Sequence, residues 1–269
     1  MRPASIVVPA AALWLATGLL AGPPPGVRWI AHRGGVVDAG YAENSPASLE
    51  AAFAAGYWMV ESDIRETKDG RIIVQHDPTF ERFYGDSRRV QDMTLAEVKA
   101  LRANPGGTPP MTFRELVDAC KGRLRIMLDT KEPEHSAAFY RQIENDLRRT
   151  GLLASAYIIG LDSARRYFQG KARVGINSAQ LEEAVRRGED VARRYFLFEW
   201  GKTLTRRQVD FAFAHKVPVV PSVNTFHYGG DWKVSLEQGS ADIRRLREWG
   251  VTEFQIDSVY EPAFSDPAR

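Results

Sequence analysis

Along the chain, short apolar runs alternate with stretches in which apolar residues recur at helical spacing. Eight runs read as strands: Val27 to Ala31, Trp58 to Ile64, Leu124 to Asp129, Ala156 to Gly160, Ala172 to Ile176, Tyr195 to Glu199, Val217 to Ser222 and Glu253 to Asp257. The segments between them carry helix signals, among them the capping boxes Thr94-Leu-Ala-Glu97 and Thr112-Phe-Arg-Glu115, each followed by apolar residues on one helical face. Strand and helix in alternation predict a parallel sheet, and eight such units predict a closed (β/α)8 barrel of the TIM type. A ninth run, Ile72 to His76, follows the second strand too closely for a crossover and reads as the return arm of a β-hairpin. With Asp69-Gly70 as a two-residue turn, that hairpin sets Asp63 opposite His76. Pro78 to Pro110 is the longest piece without a barrel strand and reads as a short cap insertion near the barrel mouth.

A chain of 269 residues fits a single barrel of roughly 250 residues. No Pro, Gly or Ser-rich linker follows Pro25, so residues 26–269 read as one domain. Residues 1–25 resemble a secretory signal peptide and linker: Arg2, an apolar stretch from Ile6 to Leu20, then Ala21-Gly22 and three prolines. The expectation is export to the periplasm or the outside, with an uncleaved anchor as the alternative. Charge is nearly balanced, 36 Lys and Arg against 34 Asp and Glu, with no long run of one sign. That argues against nucleic acid as the partner, and no obligate protein partner is expected. The lone cysteine, Cys120, lies on an amphipathic pattern and reads as a small buried apolar residue.

The polar residues fall at strand ends, where barrels of this kind carry their active sites. Glu61 and Asp63 sit two apart on a strand and share a face, so both can grip one hard cation. Asp129, ending the next barrel strand, is the third candidate ligand; an all-oxygen set favours Mg²⁺ or Ca²⁺. His32 and His76 form a candidate acid/base pair, because imidazole titrates near neutral pH. Arg33 and Lys131 either bind phosphate oxygens or only neutralise the carboxylates. Glu43 precedes a helix that Asn44 or Ser45 can cap, and it either stays with the cap or supports the ion, Arg33 or a histidine. Glu199 is a supporting candidate at the end of the sixth strand. Phe198, Trp200, Phe226, Tyr228 and Trp232 form either a cage or lip for a substrate group or ordinary packing, and His227 reads as solvent-facing.

His32-Arg33-Gly34, Glu43-Asn44-Ser45, Glu61-x-Asp63, Thr67-Lys68-Asp69-Gly70 and His76-Asp77, in this order and spacing, resemble the signature of the glycerophosphodiester phosphodiesterase family. Weaker similarity runs through Leu128-Asp-Thr-Lys131 to Phe254-Gln-Ile-Asp257. The resemblance implies a TIM-type barrel, one bound Ca²⁺ or Mg²⁺, and hydrolysis of glycerophosphodiesters to glycerol 3-phosphate and an alcohol. By matching position it implies His32 and His76 as acid and base, Glu61, Asp63 and Asp129 as metal ligands, and Arg33 and Lys131 as phosphate contacts. Asp129 stands where the family usually carries Glu. Related barrels acting as phospholipases D on lysophospholipids or sphingomyelin also use Asp there, which widens the substrate question. A glycoside hydrolase with Glu199 as its acid leaves both histidines, Arg33 and Lys131 unexplained. A noncatalytic phosphate-binding barrel leaves the histidines and the carboxylate trio unexplained.

Overall fold

The computed structural model describes residues 26–34, 40–132, 135–229 and 232–264. The expected signal segment and its boundary with the domain lie outside these residues. The strands are β1 (Arg28–Ala31), β2 (Met59–Glu66), β3 (Ile72–Val74), β4 (Thr79–Phe80), β5 (Asp86–Arg89), β6 (Arg125–Thr130), β7 (Tyr157–Gly160), β8 (Arg173–Ile176), β9 (Tyr195–Trp200), β10 (Val219–Val223) and β11 (Glu253–Ile256). The order β1-β11-β10-β9-β8-β7-β6-β2, with β1 also paired to β2, closes an eight-stranded parallel barrel. Each of the eight runs read as strands in the sequence forms one of its staves.

Helices α1 (Pro46–Ala54), α2 (Glu81–Tyr84), α3 (Leu95–Ala100), α4 (Phe113–Cys120), α5 (Ala137–Thr150), α6 (Asp162–Phe168), α7 (Ser178–Arg186), α8 (Val191–Arg194), α9 (Arg206–Ala214) and α10 (Trp232–Glu248) connect the strands. Both expected capping boxes form, at the starts of α3 and α4. Cys120 ends α4, buried and unpaired. Among the described residues no helix is long and apolar enough to cross a membrane.

Side chains two apart along a strand share a face, and this periodicity layers the barrel interior. Ile30, Met59, Met127, Tyr157, Phe196 and Val220 fill the lumen as one apolar cluster. The alternation that turns Met59 inward turns Glu61 and Asp63 inward too, one and two rungs nearer the mouth. Met127 and Asp129 repeat the pattern on β6, whose register sets Asp63 directly beside Asp129.

The hairpin β2/β3 forms, but one residue out of the expected register: Ile64 pairs with Val74 and Glu66 with Ile72. Asp63 therefore faces Gln75, whose N–H donates to the Asp63 carbonyl at 2.9 Å, and not His76. The cause lies in the turn. Thr67 pairs with Arg71 and leaves a three-residue loop in which only Gly70 takes positive φ (72°), whereas a two-residue Asp-Gly turn needs positive φ at both positions. The cap insertion comprises β4, β5, α2 and α3, with a small core of Phe80, Val90, Met93 and Val98 built on Ile73 of β3.

Candidate active site

His32 and Arg33 follow β1 directly, and the backbone there is strained. Arg33 takes φ 55° and ψ 46°, a left-handed conformation that costs a non-glycine residue about 1 kcal/mol. Gly34 continues at φ 79°, and a Cβ at that position would stand 2.7 Å from the Asn44 Cα. Glycine is thus required for the two segments to touch, and the Asn44 N–H donates to the Arg33 carbonyl at 2.8 Å. Ser45 caps α1, and Ser48 in its first turn donates from its hydroxyl to the Gly34 carbonyl. The helix start and the strained turn are therefore tied together. With Ser45 as the cap, Asn44 is released for another task, and its Nδ2 donates to Asp63 at 3.0 Å.

The strain brings the Arg33 backbone N–H to 2.9 Å from Glu61 Oε2. Ligand oxygens of Glu61, Asp63 and Asp129 all lie within 4.8 Å of one another, and Glu61 and Asp63 are each 1 % exposed. Lys131 lies on this cluster, its Nζ 2.9 Å from Asp63 Oδ1 and 2.6 Å from Asp129 Oδ2. Burial disfavours the lysine's charge, but Asp63, Asp129 and Glu61 together hold its pKa above the ordinary value. One ammonium does not balance three buried carboxylates. Asp63 is kept ionised despite its burial by Lys131 and the histidines. Asp129 is raised by burial and by Asp63, with Lys131 opposing. Glu61 takes the excess: burial and the Asp63 charge push it up to about 8. A pocket of hard oxygen donors short of positive charge fits a divalent cation.

Each histidine has its own carboxylate. His32 Nδ1 donates to Asp257 Oδ1 at 2.6 Å, and Asp257 Oδ2 accepts from the Thr225 N–H and hydroxyl at 2.7 and 2.8 Å. This leaves Nε2 of His32 4.0 Å from Glu61 Oε2. Burial opposes charge on His32, yet the Asp257 hydrogen bond and the charges of Glu61, Asp257 and Asp63 hold its pKa above the ordinary value. His76 lies in the loop after β3, with Nδ1 2.7 Å from Asp77 Oδ1 and Nε2 3.2 Å from Arg33 Nη2. It thus reaches the cluster from a loop and not from the strand pairing expected for it.

Arg33 also donates from Nη1 to Glu43 at 3.1 Å. Arg82, carried in by α2 of the cap, donates to both Glu43 and Asp77 and closes a ring through His76, Asp77, Glu43 and Arg33. The structure thus gathers His32, Arg33, Glu43, Glu61, Asp63, His76, Asp129 and Lys131. Glu199 stays apart, on β9 across the barrel from β2, where it accepts from the Ser178 N–H at the start of α7. His227 is not solvent-facing: it is 4 % exposed, stacked on Trp200 at 4.6 Å and edge-on to Phe226 at 4.3 Å. The aromatic set divides. Phe198 packs in the lumen and Tyr228 is buried with its hydroxyl on Asp242, whereas Trp200, Phe226 and Trp232 are exposed.

Asp257, Arg82 and Thr225 are the residues that sequence reasoning missed. Asp257 sits one residue past β11, and the strand-end rule that picked out Asp129 would have found it. Arg82 had no such signal, since only the folded cap brings it to Glu43.

A closed parallel barrel with buried carboxylates, two histidines and cationic side chains at its C-terminal mouth has the parts that phosphoric diester hydrolysis needs. Residues 32–230 match the glycerophosphoryl diester phosphodiesterase family, and the chain belongs to that family. A glycerophosphodiester phosphodiesterase of Bacillus subtilis (strain 168) is 28% identical over 268 residues, covering 85% of this chain and 83% of that protein. Glycerophosphodiester phosphodiesterase 1 of Homo sapiens is 34% identical over 119 residues, which cover 40% of this chain but only 35% of the human protein. Among solved structures, a glycerophosphoryl diester phosphodiesterase from Parabacteroides distasonis superposes with a TM-score of 0.69 at 19% identity, over 88% of this chain and 85% of that one. An Oleispira antarctica phosphodiesterase in complex with the product sn-glycerol-3-phosphate has a TM-score of 0.63 at 18% identity, over 88% and 94% of the two chains.

Proposed function

We propose that this chain hydrolyses glycerophosphodiesters to glycerol 3-phosphate and an alcohol with the help of one divalent cation, Mg²⁺ or Ca²⁺. The observation that carries the reading is a cluster of three carboxylates with two carboxylate-backed histidines near it, His32 beside Glu61 and His76 close enough for its charge to act on Asp63 and Asp129. Family membership and the relatives' names support the substrate class. Glu61, Asp63 and Asp129 would hold the cation. When bound, it supplies Lewis-acid stabilisation of negative charge on a nonbridging phosphate oxygen. Arg33 offers its guanidinium edge to another oxygen of the phosphate, and Lys131 adds a point charge beside it.

The two histidines differ in readiness. His32, whose cationic form the Asp257 hydrogen bond favours against burial, is suited to give a proton to the departing alkoxide. His76 accepts from Arg33 at Nε2, which requires a lone pair there, and this suits it to take a proton from the attacking oxygen. The test is hydrolysis of glycerophosphocholine followed by release of glycerol 3-phosphate. EDTA should abolish it and Mg²⁺ or Ca²⁺ restore it, whereas full activity in EDTA refutes the reading.

A phospholipase D-like reaction on lysophospholipids is the second reading. It is favoured by Trp200 at the end of β9, Phe226 just past β10 and Trp232 at the start of α10, which are 51 %, 60 % and 59 % exposed. Parallel assays of lysophosphatidylcholine, sphingomyelin and glycerophosphocholine separate the two. The basic, apolar and small-residue order of the N-terminus supports an exported enzyme, which cell fractionation and N-terminal sequencing of the mature protein would test.

A further inference from the structure

Alternation along β2 places Arg65 on the same strand face as Glu61 and Asp63, one rung further out. Its guanidinium is buried, and each of its three nitrogens donates to a partner. Nε and Nη2 donate to the His76 carbonyl at 3.0 and 2.6 Å, and Nη1 donates to Glu132 just past β6. Glu132 lies in turn 3.3 Å from His135 Nε2, and the His135 ring stacks on Phe139 at 3.6 Å. The acceptor is what makes this arrangement informative. His76 lies in an irregular loop between the end of β3 and Pro78, outside any sheet ladder. Two donors on one carbonyl fix both the height and the tilt of the peptide that carries the imidazole.

We propose that Arg65 is a positioning residue for the phosphodiester reaction: by clamping the His76 carbonyl it holds the imidazole between Asp77 and Arg33 at the edge of the carboxylate cluster. This rests on the reading that His76 moves a proton. Arg65 itself points its donors at the loop and at Glu132, so its effect on substrate passes through His76. An imidazole displaced by about 1 Å costs on the order of 10²-fold in rate, while substrate binding changes little.

The experiment measures kcat and KM for glycerophosphocholine, with melting temperatures, in Arg65→Ala, Arg65→Lys, His76→Ala and the Arg65→Ala/His76→Ala double variant. Arg65→Ala should lose about 10- to 100-fold in kcat with KM within about twofold, and added guanidinium should recover part of the loss. On a His76→Ala background, Arg65→Ala should cost almost nothing more, because the clamp has no imidazole left to place. A folded Arg65→Ala with kcat within about twofold of the parent overturns the proposal, as does a double variant that loses the full product of both single losses. Should Arg65→Ala fail to fold, Arg65→Lys decides: one donor in place of two should give an intermediate kcat with the same non-additivity, and an unchanged kcat overturns the clamp. Parent protein that leaves glycerophosphocholine intact, or His76→Ala at full rate, would instead sink the reading of His76. An active parent with impaired His76→Ala and unimpaired Arg65→Ala sinks the clamp alone.

Discussion

His32 and His227 stand on loops at the same rim of the barrel, both are largely buried, and they respond to burial in opposite ways. His227 packs against Trp200 and Phe226 and accepts from the Asn224 N–H at Nδ1; burial pushes its pKa down to about 4. His32 is buried as well, yet its pKa stays above the ordinary value. The difference is the carboxylate at hydrogen-bond distance: Asp257 on Nδ1, with Glu61 beyond Nε2. Desolvation acts on both rings, and only a paired opposite charge reverses its sign. The contrast extends to the mouth as a whole. The β1, β2 and β6 side, with the cap above it, carries the carboxylates and the cations that answer them, whereas the loops after β9 and β10 present aromatic faces.

The contrast breaks most sharply if the charged side proves dispensable. His32→Ala and His76→Ala should each lower kcat by about 10² or more with melting temperatures little changed, measured on glycerophosphocholine. Near-normal turnover in both variants would remove the distinction between the two sides. A milder intervention makes His32 resemble His227: Asp257→Asn keeps the shape and removes the charge. The His32 pKa should fall, which NMR titration reads directly. If His32 works as the protonated form, the alkaline limb of kcat/KM should move to lower pH, and an unmoved limb argues that His32 is not the proton donor.

Gly160→Ala probes how closely the acidic cluster is fitted. A Cβ there would lie 2.7 Å from Asp129 Oδ1 and 2.8 Å from the Thr130 nitrogen, at φ 95°. Cation affinity should drop several-fold and stability by about 1 kcal/mol; an unchanged affinity would show that Asp129 has room to move. The smallest effect belongs to the aromatic side. His227→Phe should leave kcat within about threefold, since the reaction proposed here asks nothing of that ring. Its signature is in stability. The unfolded chain takes up the proton near pH 6.5 and the folded one only near 4. The stability due to neutral His227 is therefore full above about 6.5 and lost as pH falls toward 4, on the order of 1–3 kcal/mol. The Phe variant should lack that slope in urea titrations, and an identical slope would place the low-pH sensitivity elsewhere.

All eight barrel strands were legible because each is a short apolar run between turn and cap signals, which needs no long-range information. Glu61, Asp63 and Asp129 were legible for a related reason: strand periodicity and a strand-end position suffice to put them on one face at one rim. Where longer range enters, legibility fades. The turn at Lys68-Asp69-Gly70 hides whether Lys68 or Thr67 closes the loop opposite Arg71, and one residue of slip exchanges His76 for Gln75 opposite Asp63. The partner of His32 is 225 residues away in the chain, and Arg82 meets Glu43 only once the cap has folded. His227 was misread because a histidine in a polar-looking loop carries no local mark of the indole that will cover it.

Everything proposed for the charged rim requires Glu61, Asp63 and Asp129 to hold a single divalent cation together. Calorimetric titration of Mg²⁺ or Ca²⁺ into chelator-stripped protein, alongside Asp63→Asn, tests it most directly. One cation should bind per chain, with an affinity at least about tenfold weaker in the variant. Superimposable titration curves for the two proteins would contradict it.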